Sequence, residues 1–129
     1  MAFVTALLAV AAQATAQLPA AAATGITRSD LQQHDLSVAG GEVIQTRVDL
    51  APGAVAPRHT HPGDEIVYVL KGRLEYRLDG QPRATLNAGD VLFIPRGKPH
   101  SVVNVGLEPA SELATYVVEK DKPLVVPVR

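Results

Sequence analysis

The 129-residue chain contains no cysteine, so it can form no disulfide, thiolate nucleophile, iron–sulfur cluster or cysteine zinc site. A transition metal would have to be held by histidine and carboxylate alone. Tryptophan is also absent and aromatic residues are only 4%, which argues against a stacking platform for nucleobases or an aromatic sugar-binding surface. Charge of one sign is missing too: 12 Lys and Arg stand against 13 Asp and Glu, and no cluster of basic residues could neutralise phosphates. Nucleic acid is not an expected partner. Nor is stable membrane insertion, because no apolar run reaches the roughly 20 residues that a spanning helix needs. A chain of this length builds one hydrophobic core and one site.

Apolar residues are unevenly spread. Of the first 23 residues 18 are apolar and 11 of these are Ala, whereas residues 24–129 hold 42 in 106, an ordinary proportion for a globular domain. Phe3 to Ala12 has the length of a signal-peptide apolar region, and Ala14-Thr15-Ala16 before Gln17 has the small-x-small form of a cleavage site. Residues 1–23 therefore read as a secretory signal peptide, with a disordered Ala-rich segment as the alternative, since no charged side chain precedes Arg28. Residues 24–129 read as a single domain. Export would place it in the periplasm or outside the cell, where a cysteine-free chain is indifferent to oxidising conditions; without export it would be cytoplasmic.

Beyond Gly40 the pattern is that of short strands cut by turns. Ile44, Thr46, Val48 and Leu50 alternate with polar residues, as do Leu74, Tyr76 and Leu78, and this period of two describes half-buried strands. Ile66 to Leu70, Val91 to Ile94 and Tyr116 to Val118 are continuous apolar runs, which predicts strands covered on both faces. Ten Gly and ten Pro lie mostly between the runs, and no helical period is present. About eight strands at this spacing predict an all-β sandwich or barrel. Residues 24–39 are polar and read as an arm or a short edge strand.

The chemistry concentrates after Gly53. His59 and His61 are two apart in a presumed strand, so both imidazoles face one side. Glu65 follows the Pro62-Gly63-Asp64 turn, and His100 heads another apolar strand. Three imidazoles and one carboxylate form a mixed nitrogen and oxygen shell, suited to one divalent iron, manganese, nickel, copper or zinc ion rather than to calcium or magnesium.

Two blocks then resemble the paired motifs of the cupin superfamily. The first is Gly53, five residues, His59-Thr60-His61, three residues, Glu65, six residues, Gly72; the second is Gly89, five residues, Pro95-Arg96-Gly97, two residues, His100, three residues, Asn104. Sixteen residues separate the blocks, as in small single-domain bacterial members, which are similar in general to quercetinase-like cupins. The resemblance implies a conical β-barrel of jelly-roll type (a double-stranded β-helix) over residues 24–129. It also implies a metal held by His59, His61, Glu65 and His100, and a homodimer. Cupins carry many reactions, so the fold alone does not name one.

The reading that follows is a metal-dependent, dioxygenase-like enzyme of a small organic molecule, with Glu65 both ligand and candidate catalytic base. Two alternatives stand beside it: a redox-silent isomerase or lyase of sugar acids, and a non-catalytic binding protein. His34 lies outside the motifs and is given no role. Arg58 and Arg96 are expected at the surface, and Asn104 and the motif glycines in structural roles. Tyr68, Tyr76 and Phe93 are candidates equally for core and for the pocket mouth.

Overall fold

The alternating residues fold into strands whose buried positions follow the period of two. In the computed structural model, which describes residues 24–129, ten strands follow one another. They are β1 (Ile26–Asp35), β2 (Gly41–Leu50), β3 (Val55–Thr60), β4 (Gly63–Lys71), β5 (Arg73–Leu78), β6 (Ala84–Asn87), β7 (Val91–Ile94), β8 (His100–Asn104), β9 (Ala110–Glu119) and β10 (Val126–Pro127). The expected leader, residues 1–23, lies outside the described residues. Two five-stranded sheets, ordered β1-β2-β9-β4-β7 and β10-β3-β8-β5-β6, contain only antiparallel pairs. Their inner faces share one core, with Val48, Leu50, Val67, Val69 and Tyr116 from the first sheet and Leu74, Tyr76, Leu78 and Val102 from the second. This is the expected all-β barrel of jelly-roll type.

Two expectations are corrected. Residues 24–39 hold a ten-residue strand, β1, paired along almost its whole length with β2 and bulged between Asp30 and Gln32. Its polarity reflects its position, because an edge strand exposed on nearly every residue has no apolar face to conceal. The continuous apolar runs are not covered on both faces within the chain. In β4, Val67 and Val69 are fully buried, whereas Ile66, Tyr68 and Leu70 are exposed together with Val91, Phe93 and Val117. Among the described residues no helix packs over this outer face, so every second residue of each run is open.

Close backbone approaches fix the strands that carry the site. A Cβ at Gly63 would strike the Val117 carbonyl oxygen, so glycine lets β4 begin hard against β9. Gly72, with φ of +81°, lets β4 and β5 meet where a Cβ would lie 2.7 Å from Ala110 Cα. Asn104 ties together the same end as Gly72: its side-chain amide donates to the Leu50 and Glu108 carbonyls, and its oxygen accepts the Gly106 N–H. The structural role expected for Asn104 is the one observed.

Candidate metal centre

His59 is the last residue but one of β3 and His100 begins β8, and the two are direct register partners in the second sheet. Glu65, the third residue of β4, faces them from the first sheet, opposite Tyr116. His61 lies on the link between the sheets. That link is shorter than the expected turn, because β4 starts at Gly63 and pairs it with Val118. Alternation still turns Gly63 and Glu65 inward, and all four candidate ligands are buried, at 2–6% exposure. The donor atoms of His59, His61 and His100 lie within 4.8 Å of one another. Glu65 Oε2 is 3.0 Å from His61 Nε2 and 3.2 Å from His100 Nε2.

The backbone decides which ring nitrogens face inward. Nδ1 of His59 is 2.7 Å from the Pro57 carbonyl oxygen, Nδ1 of His61 is 2.6 Å from that of Leu124, and Nδ1 of His100 is 2.9 Å from that of Lys98. A carbonyl only accepts, so each Nδ1 carries the hydrogen and each neutral ring keeps its lone pair on Nε2. Among the described residues His61 Nε2 and Glu65 Oε2 have no hydrogen-bond partner, although both are fully buried. Lone pairs 3.0 Å apart in a dry interior repel unless a cation lies between them. A proton on an imidazole or a metal ion would serve, and the three-histidine cluster fits a metal of intermediate character.

The titration states agree with ligand duty. Burial lowers the His59 pKa to about 4, which leaves its imidazole neutral at pH 7. Burial alone would raise the Glu65 carboxyl, but a proton or cation shared with the facing His100 and His61 nitrogens outweighs it and holds it at about 2. Neither group must shed a proton at neutral pH before it can coordinate.

The other candidates fall elsewhere. His34 is exposed on β1 opposite Val43. Arg58 pairs with Asp79 and donates to the Arg129 carbonyl, and Arg96 pairs with Glu119 at 2.6 Å, so both are surface residues as expected. Tyr68 and Phe93 lie on the outer face and Tyr76 in the core, so none of the three lines a pocket mouth at the cluster. Sequence reasoning missed four residues. The Tyr116 ring packs 4.8 Å from that of His61, Arg28 donates to the Tyr116 hydroxyl at 3.2 Å, the Leu124 carbonyl fixes His61, and Glu112 is buried against the Tyr76 hydroxyl. Of these only Glu112 left a signal, as a charged residue inside an apolar strand.

Burial, followed by the charge of Glu65, pushes the Glu112 carboxyl up to about 8. Between its ordinary 4.5 and about 8 the folded state holds a proton that the unfolded state has lost, so Glu112 makes stability fall as pH rises through that window. Glu112→Gln keeps a partner for Tyr76 and cannot ionise. The melting temperature of this variant minus that of the wild type should grow from pH 5 to pH 8, a difference in which the opposing contribution of His59 cancels. A constant difference would show that Glu112 does not titrate there.

Comparison with known proteins agrees with the fold. The family model described as "Cupin domain" matches residues 46–116. A germin-like protein of Arabidopsis thaliana, subfamily 2 member 2, is 41% identical over 79 residues, 57% of this chain and 36% of that protein. The dimethylsulfoniopropionate lyase DddQ of Ruegeria pomeroyi is 39% identical over 54 residues, 42% of this chain and 27% of the lyase. The chain thus spans about a third of these relatives. The structure of oxalate oxidase in complex with glycolate superposes with a TM-score of 0.66 at 30% identity, covering 84% of this chain and 57% of the oxidase.

Proposed function

The chain belongs to the cupin domain family, and on that premise we propose that it is a metal-dependent enzyme of a small organic molecule, with His59, His61, Glu65 and His100 as ligands. The observation that carries this reading is the convergence of three Nε2 lone pairs, set by backbone carbonyls, on one point faced by an ionised carboxylate. A divalent iron, manganese, nickel, copper or zinc ion bound there would supply Lewis acidity toward an oxygen of the substrate. The protein's part is to turn the three Nε2 atoms toward one point, to exclude water by burial, and to keep one anionic oxygen, Glu65 Oε2, beside the reacting molecule. On leaving its histidine partners that oxygen can accept a substrate proton.

A dioxygenase-like reaction is the first choice, supported by the likeness to oxalate oxidase. A redox-silent lyase is the second, supported by the likeness to DddQ in sequence and in structure, where the TM-score is 0.61. The reconstituted protein should be screened against small organic acids while dioxygen is recorded. Metal-dependent dioxygen uptake supports the first reading and undiminished turnover without oxygen the second. Ligand-induced stabilisation without product would contradict both and leave a binding protein.

We also propose that residues 1–23 are an export leader preceding the cupin domain of residues 24–129, and that the protein acts as a homodimer. The exposed outer face supports the dimer: Ile66 lies beside Phe93 and Tyr68 beside Val91 across the β4–β7 ladder, leaving an apolar strip for a second copy. Phe93→Asp should convert the dimer to a monomer in light scattering without loss of fold. An unchanged mass would place the interface elsewhere.

A further inference from the structure

The three carbonyls that orient the histidines come from unequal places. His59 is held by Pro57 and His100 by Lys98, each two residues earlier in the chain. Neither carbonyl can leave its ring without moving the stretch of chain that carries the histidine itself. His61 is held from far away instead: its Nδ1 meets the Leu124 carbonyl at 2.6 Å across 63 positions, in the C-terminal tail. That carbonyl keeps the hydrogen on Nδ1 and leaves the Nε2 lone pair for a metal. Without it, either nitrogen of His61 can carry the hydrogen.

The tail is lightly attached. Of residues 121–129 only Leu124 and Val128 are not exposed. Its strand β10 is the shortest of the ten and lies at the edge of its sheet, pairing Val126 with Thr60 and Pro127 with His59. Beyond that ladder the Val128 N–H donates to the Arg58 carbonyl at 3.0 Å, and Arg58 Nη1 donates to the Arg129 carbonyl at 3.1 Å. The Leu124 side chain seats the segment, packed against the core beside Ile44. On its other side a groove of about 280 Å³ opens toward residues 30–33 of β1. A short, exposed edge segment with one apolar anchor opens at far lower cost than the whole domain.

We propose that the C-terminal tail is a detachable orienting element of the metal centre, with Leu124 as its positioning residue. Docked, the Leu124 carbonyl turns His61 Nε2 toward the cluster; released, the tail leaves two oriented imidazoles and one unconstrained ring. Metal affinity is therefore coupled to tail docking. This rests on the metal-centre reading above and adds the element that sets the strength of binding. The coupling is reciprocal, so a metal that requires His61 Nε2 also holds the tail down. Had the tail served only to cover the edge of β3, its release would lower stability and leave metal affinity unchanged.

The test uses the full chain with zinc as the probe. Leu124→Asp removes the apolar seat of the tail and leaves its backbone intact. Its zinc Kd, measured by competition with a chelator, should rise about 10- to 100-fold, the scale of a lost outer partner of a metal ligand. Ring-nitrogen NMR of the zinc-free variant should show the His61 hydrogen shared between both nitrogens, while His59 and His100 keep theirs on Nδ1. In the wild type, which needs no substitution, saturating zinc should slow hydrogen exchange at the Val128 N–H by a similar factor. Unchanged zinc affinity in Leu124→Asp, a His61 hydrogen still fixed on Nδ1, equal disturbance of all three rings, or Val128 exchange that ignores zinc would overturn the role of the tail. Failure of the wild type to take up zinc would instead overturn the metal centre.

Discussion

His61→Ala and His100→Ala proteins should each lose stoichiometric metal, while His34→Ala keeps it in full. Each of the first two changes removes one of three buried Nε2 lone pairs aimed at a common point, and a shell reduced to two imidazoles and one carboxylate binds far more weakly. The effect on stability divides by metal state. A metal that binds only the folded chain stabilises it by about 2.7 kcal/mol at a hundredfold excess over Kd. For a domain of this size each kcal/mol is worth about 4–8 °C in melting temperature. That whole increment should vanish in the variants. Without metal, His61→Ala relieves the contact between His61 Nε2 and Glu65 Oε2, so it should cost less than an ordinary truncation in a buried site. Elemental analysis and melting curves with and without chelator check both parts. Full occupancy in His61→Ala would contradict the ligand assignment.

Glu65→Gln should keep the metal on the three histidines yet lose turnover by roughly 100-fold or more, the scale of a lost general base. Glutamine preserves size and one oxygen donor but removes the charge and nearly all the basicity. At about 2, the Glu65 carboxylate is a weak base where it stands, because a proton or cation shared with His100 and His61 holds it ionised. It becomes a useful base only by turning away from that pair toward a substrate proton, and that movement is the one a fixed ligand would not make. Rates must be compared at equal, measured metal content, on a substrate found by the oxygen-uptake screen. Turnover near wild type would refute the base role and leave Glu65 as the anionic ligand alone.

The cluster was legible because its signal is local. His59 and His61 are two apart, Glu65 is the third residue of its strand and His100 the first, and a period of two fixes which way such residues point once the sheets face each other. The alternation of Ile44 through Leu50 gave the inner face of β2 for the same reason. Continuous runs carry no such phase: Ile66 to Leu70 is equally apolar at every position, so nothing in it distinguishes buried Val67 from exposed Tyr68. The length of β1 was hidden because an edge strand in solvent has no apolar period. Residues acting through long-range pairing were beyond reach. Arg28 meets Tyr116 across 88 positions, and the Leu124 carbonyl that fixes His61 is a backbone group with no sequence signature.

The most direct test of the central claim is a zinc titration of the full chain followed through the ring nitrogens of its four histidines by NMR. The account predicts that His59, His61 and His100 carry their hydrogen on Nδ1 before zinc is added, and that their Nε2 signals shift together and saturate at one equivalent, while His34 does not respond. Movement of His34 with the others, fewer than three shifted rings, or no saturation at one equivalent would contradict it.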